Sequence, residues 1–186
     1  MKIKEEWNIY PPFRKWFSKG EVYILSDPHF ADPDRLSMDP AWISPEEQLR
    51  ILNETMGEED TFICLGDVGD LSYAEKIRAG YKVLLMGNHD EPEKMEAYRN
   101  VFDEVYSGPL LISEHLMLSH EPVYRLPWLF ALHGHLHSKN PSPREGENHV
   151  NLAANVWGYH PAKLSDFLDR MVEKDFPSVH VCLKDQ

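Results

Sequence analysis

The sequence predicts an α/β (α+β) fold in which two packed sheets are flanked by helices. Three observations carry this expectation. Residues 21–86 alternate apolar, β-rich runs with helical segments, the order that builds a parallel sheet. Residues 110–132 hold short strands with little helix between them. Residues 163–174 form an amphipathic helix with Leu164, Phe167, Leu168, Met171 and Val172 on one face. A length of 186 residues is enough for one domain with a sizeable core. We expect residues 1–186 to form that single domain, with residues 1–20 as a peripheral segment.

Residues 1–20 carry Trp7, Tyr10, Phe13, Trp16 and Phe17 around Pro11-Pro12. Such a segment packs on the domain surface or offers a homodimer face, since aromatics are enriched at interfaces. Residues 21–26 read as a strand after Gly20, ending in Asp27-Pro28-His29, and residues 31–43 as a loop. A helix then opens with Ser44 as N-cap, Pro45 at its first position and Glu47 closing a capping box; Gly57 ends it. Residues 61–65 form a second strand, which runs into Gly66-Asp67-Val68-Gly69-Asp70. Ser72 and Glu75 suggest another capping box for a helix over 72–79, with Gly80 past its end. Residues 81–86 make the third strand, leading to Gly87-Asn88-His89-Asp90, and a short helix is expected over 91–98. Residues 110–112 and 116–118 look like the two arms of a hairpin, the second ending in Ser119-His120. Residues 129–132 feed His133-Gly134-His135-Leu136-His137. A polar loop follows over 138–148, and residues 150–154 and 179–183 are strand candidates.

The net charge of −12 argues against a protein that grips long nucleic acid, because no basic face is evident. A metal centre would add local positive charge that composition does not count. No apolar run is long enough to span a membrane, and the charged start Met1-Lys2-Ile3-Lys4-Glu5-Glu6 lacks the apolar core of a signal peptide. Cys64 and Cys182 fit no metal spacing; Cys64 sits in an apolar run and reads as a small buried hydrophobe in a reducing compartment. The expected location is cytoplasmic.

Five strand ends carry side chains able to bind metal: Asp27 and His29, Asp67, Asn88, His120, and His135 with His137. Residues at the carboxyl ends of neighbouring parallel strands converge in one crevice. The set is seven oxygen and nitrogen donors with no thiolate, which suits Mn, Fe, Zn, Co or Ni better than Ca. Seven donors exceed what one ion with an open position takes. With one carboxylate shared, they serve two divalent transition-metal ions. Two ions bring four positive charges against two from Asp27 and Asp67, so the centre stays positive enough to hold a hydroxide and a phosphate. Two metals about 3.5–4 Å apart can generate a nucleophile and stabilise both ends of an in-line displacement.

These same blocks resemble the calcineurin-like metallophosphoesterase superfamily. Asp27-x-His29, Gly66-Asp67-x-x-Asp70, Gly87-Asn88-His89-Asp90, Ser119-His120 and Gly134-His135-x-His137 match its five motifs in order, over residues 27–137. Any one block is common; five in order, each after an apolar run, are specific. The stretch 148–161, with Asn151, Trp157 and Pro161, is similar to the tail of small bacterial and phage members. The resemblance implies a four-layer α-β-β-α sandwich and two metal ions, Mn foremost. It implies that Asp27, His29, Asp67 and His137 hold one ion, and that Asp67, Asn88, His120 and His135 hold the other. It further implies that His89 contacts the phosphate and acts as general acid, with Asp70 orienting it. One departure is visible: Leu71-Ser72 stands where larger phosphoprotein phosphatases carry Arg-Gly. That removes a phosphate-binding arginine and argues against a phosphoprotein substrate.

The expected activity is hydrolysis of a phosphodiester or phosphomonoester by a metal-bridging hydroxide. A small diester such as a nucleotide derivative is favoured, because little chain is left for a cap. A nuclease, a phosphatase on another metabolite, a regulatory binder and a non-catalytic protein-binding scaffold are the alternatives. His133 matches no ligand position and reads as a hydrogen-bonded interior histidine. His115 is expected to be solvated in the hairpin turn. Asp90 either caps the next helix or takes part in the site. Arg125 either reaches a phosphate or makes a surface ion pair.

Overall fold

The computed structural model describes residues 11–124, 126–138, 140 and 147–174. Its first sheet has five strands in the order β4-β3-β2-β1-β9, and its second has four in the order β5-β6-β7-β8. Strands β1 (Val22–Leu25), β2 (Thr61–Cys64), β3 (Tyr81–Leu85) and β4 (Glu104–Tyr106) are parallel. Only the short β9 (Ala162–Lys163) runs against them, along β1. In the second sheet β5 (Leu110–Ser113) and β6 (Leu116–Leu118) form the expected antiparallel hairpin. Strands β7 (Phe130–His133) and β8 (His149–Asn151) continue parallel to β6. Both sheets are thus mixed, and helices flank them.

Strand alternation divides the core in two. Val22 and Ile24 of β1 join Ile63, Val83 and Leu85 in a cluster that includes Leu116, Leu118, Phe130 and Leu132 of the second sheet. Tyr23 and Leu25 face the other way, with Phe62, Cys64 and Leu84. They pack against Leu52 of α2 (Pro45–Thr55), Ala74 of α3 (Leu71–Ala74) and Tyr98 of α4 (Met95–Val101). Burial pushes the Cys64 thiol up, as expected of an inert interior cysteine. α6 (Leu164–Glu173) packs Phe167 on Phe130, 6.3 Å between centroids, and lies against β1 as well, so it ties the two sheets together.

Several local expectations need correction. The segment expected as loop over 31–43 contains one helical turn, Arg35–Met38 (α1). Helix α3 spans only Leu71–Ala74, and its cap is Asp70, whose carboxylate accepts from the Ser72 amide at 2.8 Å. The Ser72/Glu75 pattern is a false capping box, because Asp70 meets the free amide first. β4 and β9 are too short to carry a periodic signal. The strand expected over 150–154 ends at Asn151, and Ala154–Trp157 is a helical turn (α5). The amino-terminal segment is less peripheral than expected: Pro11–Phe17 is a 3-10 helix, and its Phe13, Trp16 and Phe17 are buried in this chain's own core. Those three aromatics therefore offer no dimer face. Trp7, Tyr10, Arg125 and the strand expected over 179–183 lie outside the described residues. No described helix is long and apolar enough to cross a membrane.

Candidate metal centre

The parallel strands end side by side, and the loops after them hold one another. The Asp27 amide donates to the Gly66 carbonyl, and the His29 amide to the Asp67 carbonyl, both at 3.0 Å. Across the two sheets the Ser26 amide donates to the Leu152 carbonyl and the Ala154 amide to the Ser26 carbonyl, each at 2.9 Å, joining β1 to the chain after β8. These ties hold unusual backbone. Asp27 (φ 54°), His29 (φ 41°), Asp67 (φ 54°) and His135 (φ 67°) all sit in the left-handed region. Non-glycine residues there cost of order 1–3 kcal/mol each and cluster where a side chain must be aimed. The glycines of the motifs serve close approach. A Cβ on Gly134 would lie 2.0 Å from Asp27 Oδ2, and one on Gly87 would lie 2.2 Å from Asp67 Oδ1.

The seven donors converge as expected. Asp27, His29 and His137 form one group and Asp67, His120 and His135 another, with the donor atoms of each group within 4.8 Å of one another. Asp67 Oδ2 stands between the groups, 3.6 Å from His29 Nε2 and 3.3 Å from His120 Nε2. Asn88 Oδ1 lies 2.8 Å from both His120 Nε2 and His135 Nδ1. Asp67 Oδ1 accepts from the His89 amide and Asp27 Oδ2 from the His135 amide, each at 2.8 Å. Each carboxylate thus has one oxygen tied to backbone and the other turned inward.

These residues fit metal ions. Asp27 Oδ1 and His29 Nε2 are fully buried and have no hydrogen-bond partner among the described residues. An orphaned buried carboxylate oxygen is costly unless a cation completes it. Asp27 Oδ1 and His137 Nε2 are 3.8 Å apart, too far for a hydrogen bond. Two donors each about 2.0–2.2 Å from one ion would be separated by roughly that much. The charge balance agrees. Burial raises the Asp67 carboxyl, but the His120 imidazole beside it outweighs this and holds it below its ordinary value. Burial likewise lowers His120, but Asp67 and Asp27 win and push it up to about 9. The centre draws positive charge.

Three residues outside the seven also shape it. His29 Nδ1 donates to Asp32 Oδ2 at 2.8 Å, which leaves Nε2 as the free lone pair. Burial raises Asp32, but bonds from the Asp34 amide and His29 bring it below the ordinary carboxylate value. Asp90 does not cap a helix. Its carboxylate accepts from the amides of Asp67 (2.8 Å), Val68 (3.1 Å) and Gly87 (2.8 Å), and so clamps the loops after β2 and β3 together. Asn155 meets His137 at 3.1 Å. The carboxylate three residues after His29 was a visible signal in the sequence; Asn155 had none.

His89 is exposed, with its ring 5.1 Å from that of His29 and its donor atom grouped with those of His29 and Asp32. It forms part of the wall of a cavity of about 470 Å³, with Phe30, Asp32, Asp70 and Tyr98. The Asp70 carboxylate lines the same cavity but takes its hydrogen bond from Ser72. His133 is fully buried and its Nδ1 lies 3.0 Å from the Gly134 carbonyl, the interior role expected. His115 stands partly exposed in the turn between β5 and β6, and its Nδ1 donates to the Trp128 carbonyl at 2.7 Å.

The chain is similar to several known proteins. The Metallophos family model, described as calcineurin-like phosphoesterase, matches residues 20–179. The Gene 66 protein of Mycobacterium phage D29 is 28% identical over 160 residues, covering 64% of this chain and 80% of its own. The Aquifex aeolicus protein AQ665, of unknown function, superposes with a TM-score of 0.62 at 23% identity, over 83% of this chain and 98% of its own. A nuclease of Pseudomonas putida named MPE superposes more loosely, with a TM-score of 0.44 at 21% identity, over 61% of this chain and 60% of its own.

Proposed function

The chain belongs to the calcineurin-like phosphoesterase family, and from that premise we propose that it hydrolyses a small phosphodiester with two divalent metal ions. The observation that carries this is the pair of donor groups, Asp27/His29/His137 and Asp67/His120/His135, with Asp67 Oδ2 between them. Asp27, His29, Asp67 and His137 would hold one ion; Asp67, Asn88, His120 and His135 would hold the other. When bound, the pair supplies Lewis acidity: it makes hydroxide available near neutral pH and neutralises charge on the phosphoryl group. Mn is the first choice, with Fe, Zn, Ni and Co as alternatives.

The chain's own residues do the rest. The Asp32 carboxylate and the Asp67 backbone carbonyl hold His29, and Asp90 keeps the Asp67 and Gly87 loops at a fixed separation. His89 stands at the open side, where it meets the phosphate and passes its ring proton to the oxygen that leaves when the P–O bond breaks. Asp70, which lines the same cavity, would steady His89 when substrate is bound. The cavity beside His89 takes the leaving group, and its size suits a nucleotide-like fragment rather than a folded protein.

The test is hydrolysis of bis-p-nitrophenyl phosphate and p-nitrophenyl phosphate by metal-stripped protein with Mn, Ni, Co, Zn or Mg restored. Metal-dependent turnover with the diester preferred is the expected result. Stoichiometric binding of two ions without turnover on either ester would overturn it.

A further inference from the structure

We propose that Asn155 is a positioning residue for the ion held by Asp27, His29, Asp67 and His137, and that it works by fixing which nitrogen of His137 carries the proton. This rests on the reading of those four residues as ligands. Asn155 lies in α5, beyond the five motif blocks, and is 7% exposed. Its amide nitrogen lies 3.1 Å from Asp39 Oδ2 and 3.1 Å from the His137 carbonyl. Both of those partners only accept, so the NH2 must face them. The amide oxygen is then the atom left facing His137 Nδ1, at 3.1 Å. An oxygen there accepts, so Nδ1 carries the hydrogen. A neutral imidazole with its proton on Nδ1 has its lone pair on Nε2. That Nε2 is the atom 3.8 Å from the buried, unpartnered Asp27 Oδ1.

The direction of the amide is itself held. Asp39 Oδ1 accepts from the Ala41 amide at 2.8 Å, and the Asp39 carbonyl accepts from the Trp42 amide at 3.0 Å. Residues 39–42 therefore present a carboxylate to Asn155 and an indole to the ligands. The Trp42 ring, 6% exposed, lies 5.3 Å from the His137 ring at 62° and 5.7 Å from the His29 ring at 82°. Asn155 sets the proton on His137, and Trp42 limits the ring's rotation. Asn155 does not serve its own helix in this: among the described residues, its side-chain hydrogen bonds go to Asp39 and His137.

The experiment is metal titration of the full chain, followed by the visible spectrum of bound Co(II) and by competition with a chromophoric chelator. Asn155→Leu keeps the volume and removes the acceptor. It is expected to weaken one of the two ions by about 10–100-fold, the usual effect of losing a ligand's supporting partner. The other ion and the melting midpoint of the metal-free protein should hold. In a His137→Ala background, Asn155→Leu should cost no further metal affinity, since the two act as one unit. Two ions at wild-type affinity in Asn155→Leu would overturn the proposal. So would an equal loss in the His137→Ala background. A wild-type chain that binds no ion would overturn the functional reading as well, so the two failures are told apart.

Discussion

Two buried acidic regions of this protein invite comparison: Glu104 on the edge strand β4, and Asp27 with Asp67 at the carboxyl ends of β1 and β2. The Glu104 carboxylate, 9% exposed, meets donors on every side. Tyr81 Oη (2.6 Å), Trp16 Nε1 (3.3 Å), Tyr106 Oη and Lys15 Nζ all reach it. Asp27 is fully buried, yet among the described residues Oδ1 has no hydrogen-bond partner, and the His29 Nε2 nearby has none either. The first acid is closed by the protein itself, and it fastens the amino-terminal 3-10 helix to the sheet. The second is left open towards a space where several donors meet. Burial alone does not mark a functional site; burial with valence unspent does.

The strongest way to break the comparison is at Asp67. Asp67→Ala should abolish both metal binding and turnover, since its Oδ2 serves both groups; metal analysis showing full occupancy would contradict this. Next is His89→Ala. Turnover should fall about 10²–10⁴-fold, the usual worth of a general acid, while both ions remain bound. Unchanged activity on a model phosphodiester would remove His89 from the chemistry.

Glu104→Ala should act in the opposite sense. It should destabilise the fold by about 1–3 kcal/mol, because the Trp16 indole and two tyrosines lose a shared acceptor, with metal stoichiometry and activity per folded molecule unchanged. A denaturant titration reads the first and a metal analysis the second. Loss of metal in this variant would erase the distinction between the two regions.

The smallest expected effect is on acid stability. Burial raises the Glu104 carboxyl, but its bonds from Lys15, Tyr106, Tyr81 and Trp16 outweigh this and lower it from 4.5. A carboxyl depressed on folding adds stability above its unfolded value, and that increment fades as pH falls through the folded value. The wild type should therefore lose stability more steeply below pH 4.5 than Glu104→Gln does. Parallel acid-unfolding curves would show that Glu104 does not carry this term.

The fold and the seven donors were legible because each is announced locally. An apolar run followed by Gly-Asp, Gly-Asn-His or Gly-His states both the strand and the turn that ends it. The three parallel strands and the hairpin stand where the periodicity puts them. Legibility failed where a residue's role depends on something distant in the chain. The false capping box at Ser72 is the local exception: it looked correct over four residues and was overruled by Asp70, two residues before it. Trp16 looked like a surface aromatic and proved to be core, because Thr61 and Glu104 bind its carbonyl and indole.

By itself the sequence determined the three parallel strands, the hairpin and the main flanking helices, the family resemblance, and the residue types that could serve as metal donors, since these follow from short-range pattern and from the chemistry of residue types. Only the tertiary structure decided which donors share a space, which oxygen of each carboxylate stays free, and which nitrogen of each histidine is turned inward. Those choices are made by partners that the sequence keeps far apart: Asp90 on the Asp67 amide, Asp27 on the His135 amide, Asn155 on His137. A hydrogen bond is directional and lasts only a few ångströms, so no spacing along the chain could have revealed it.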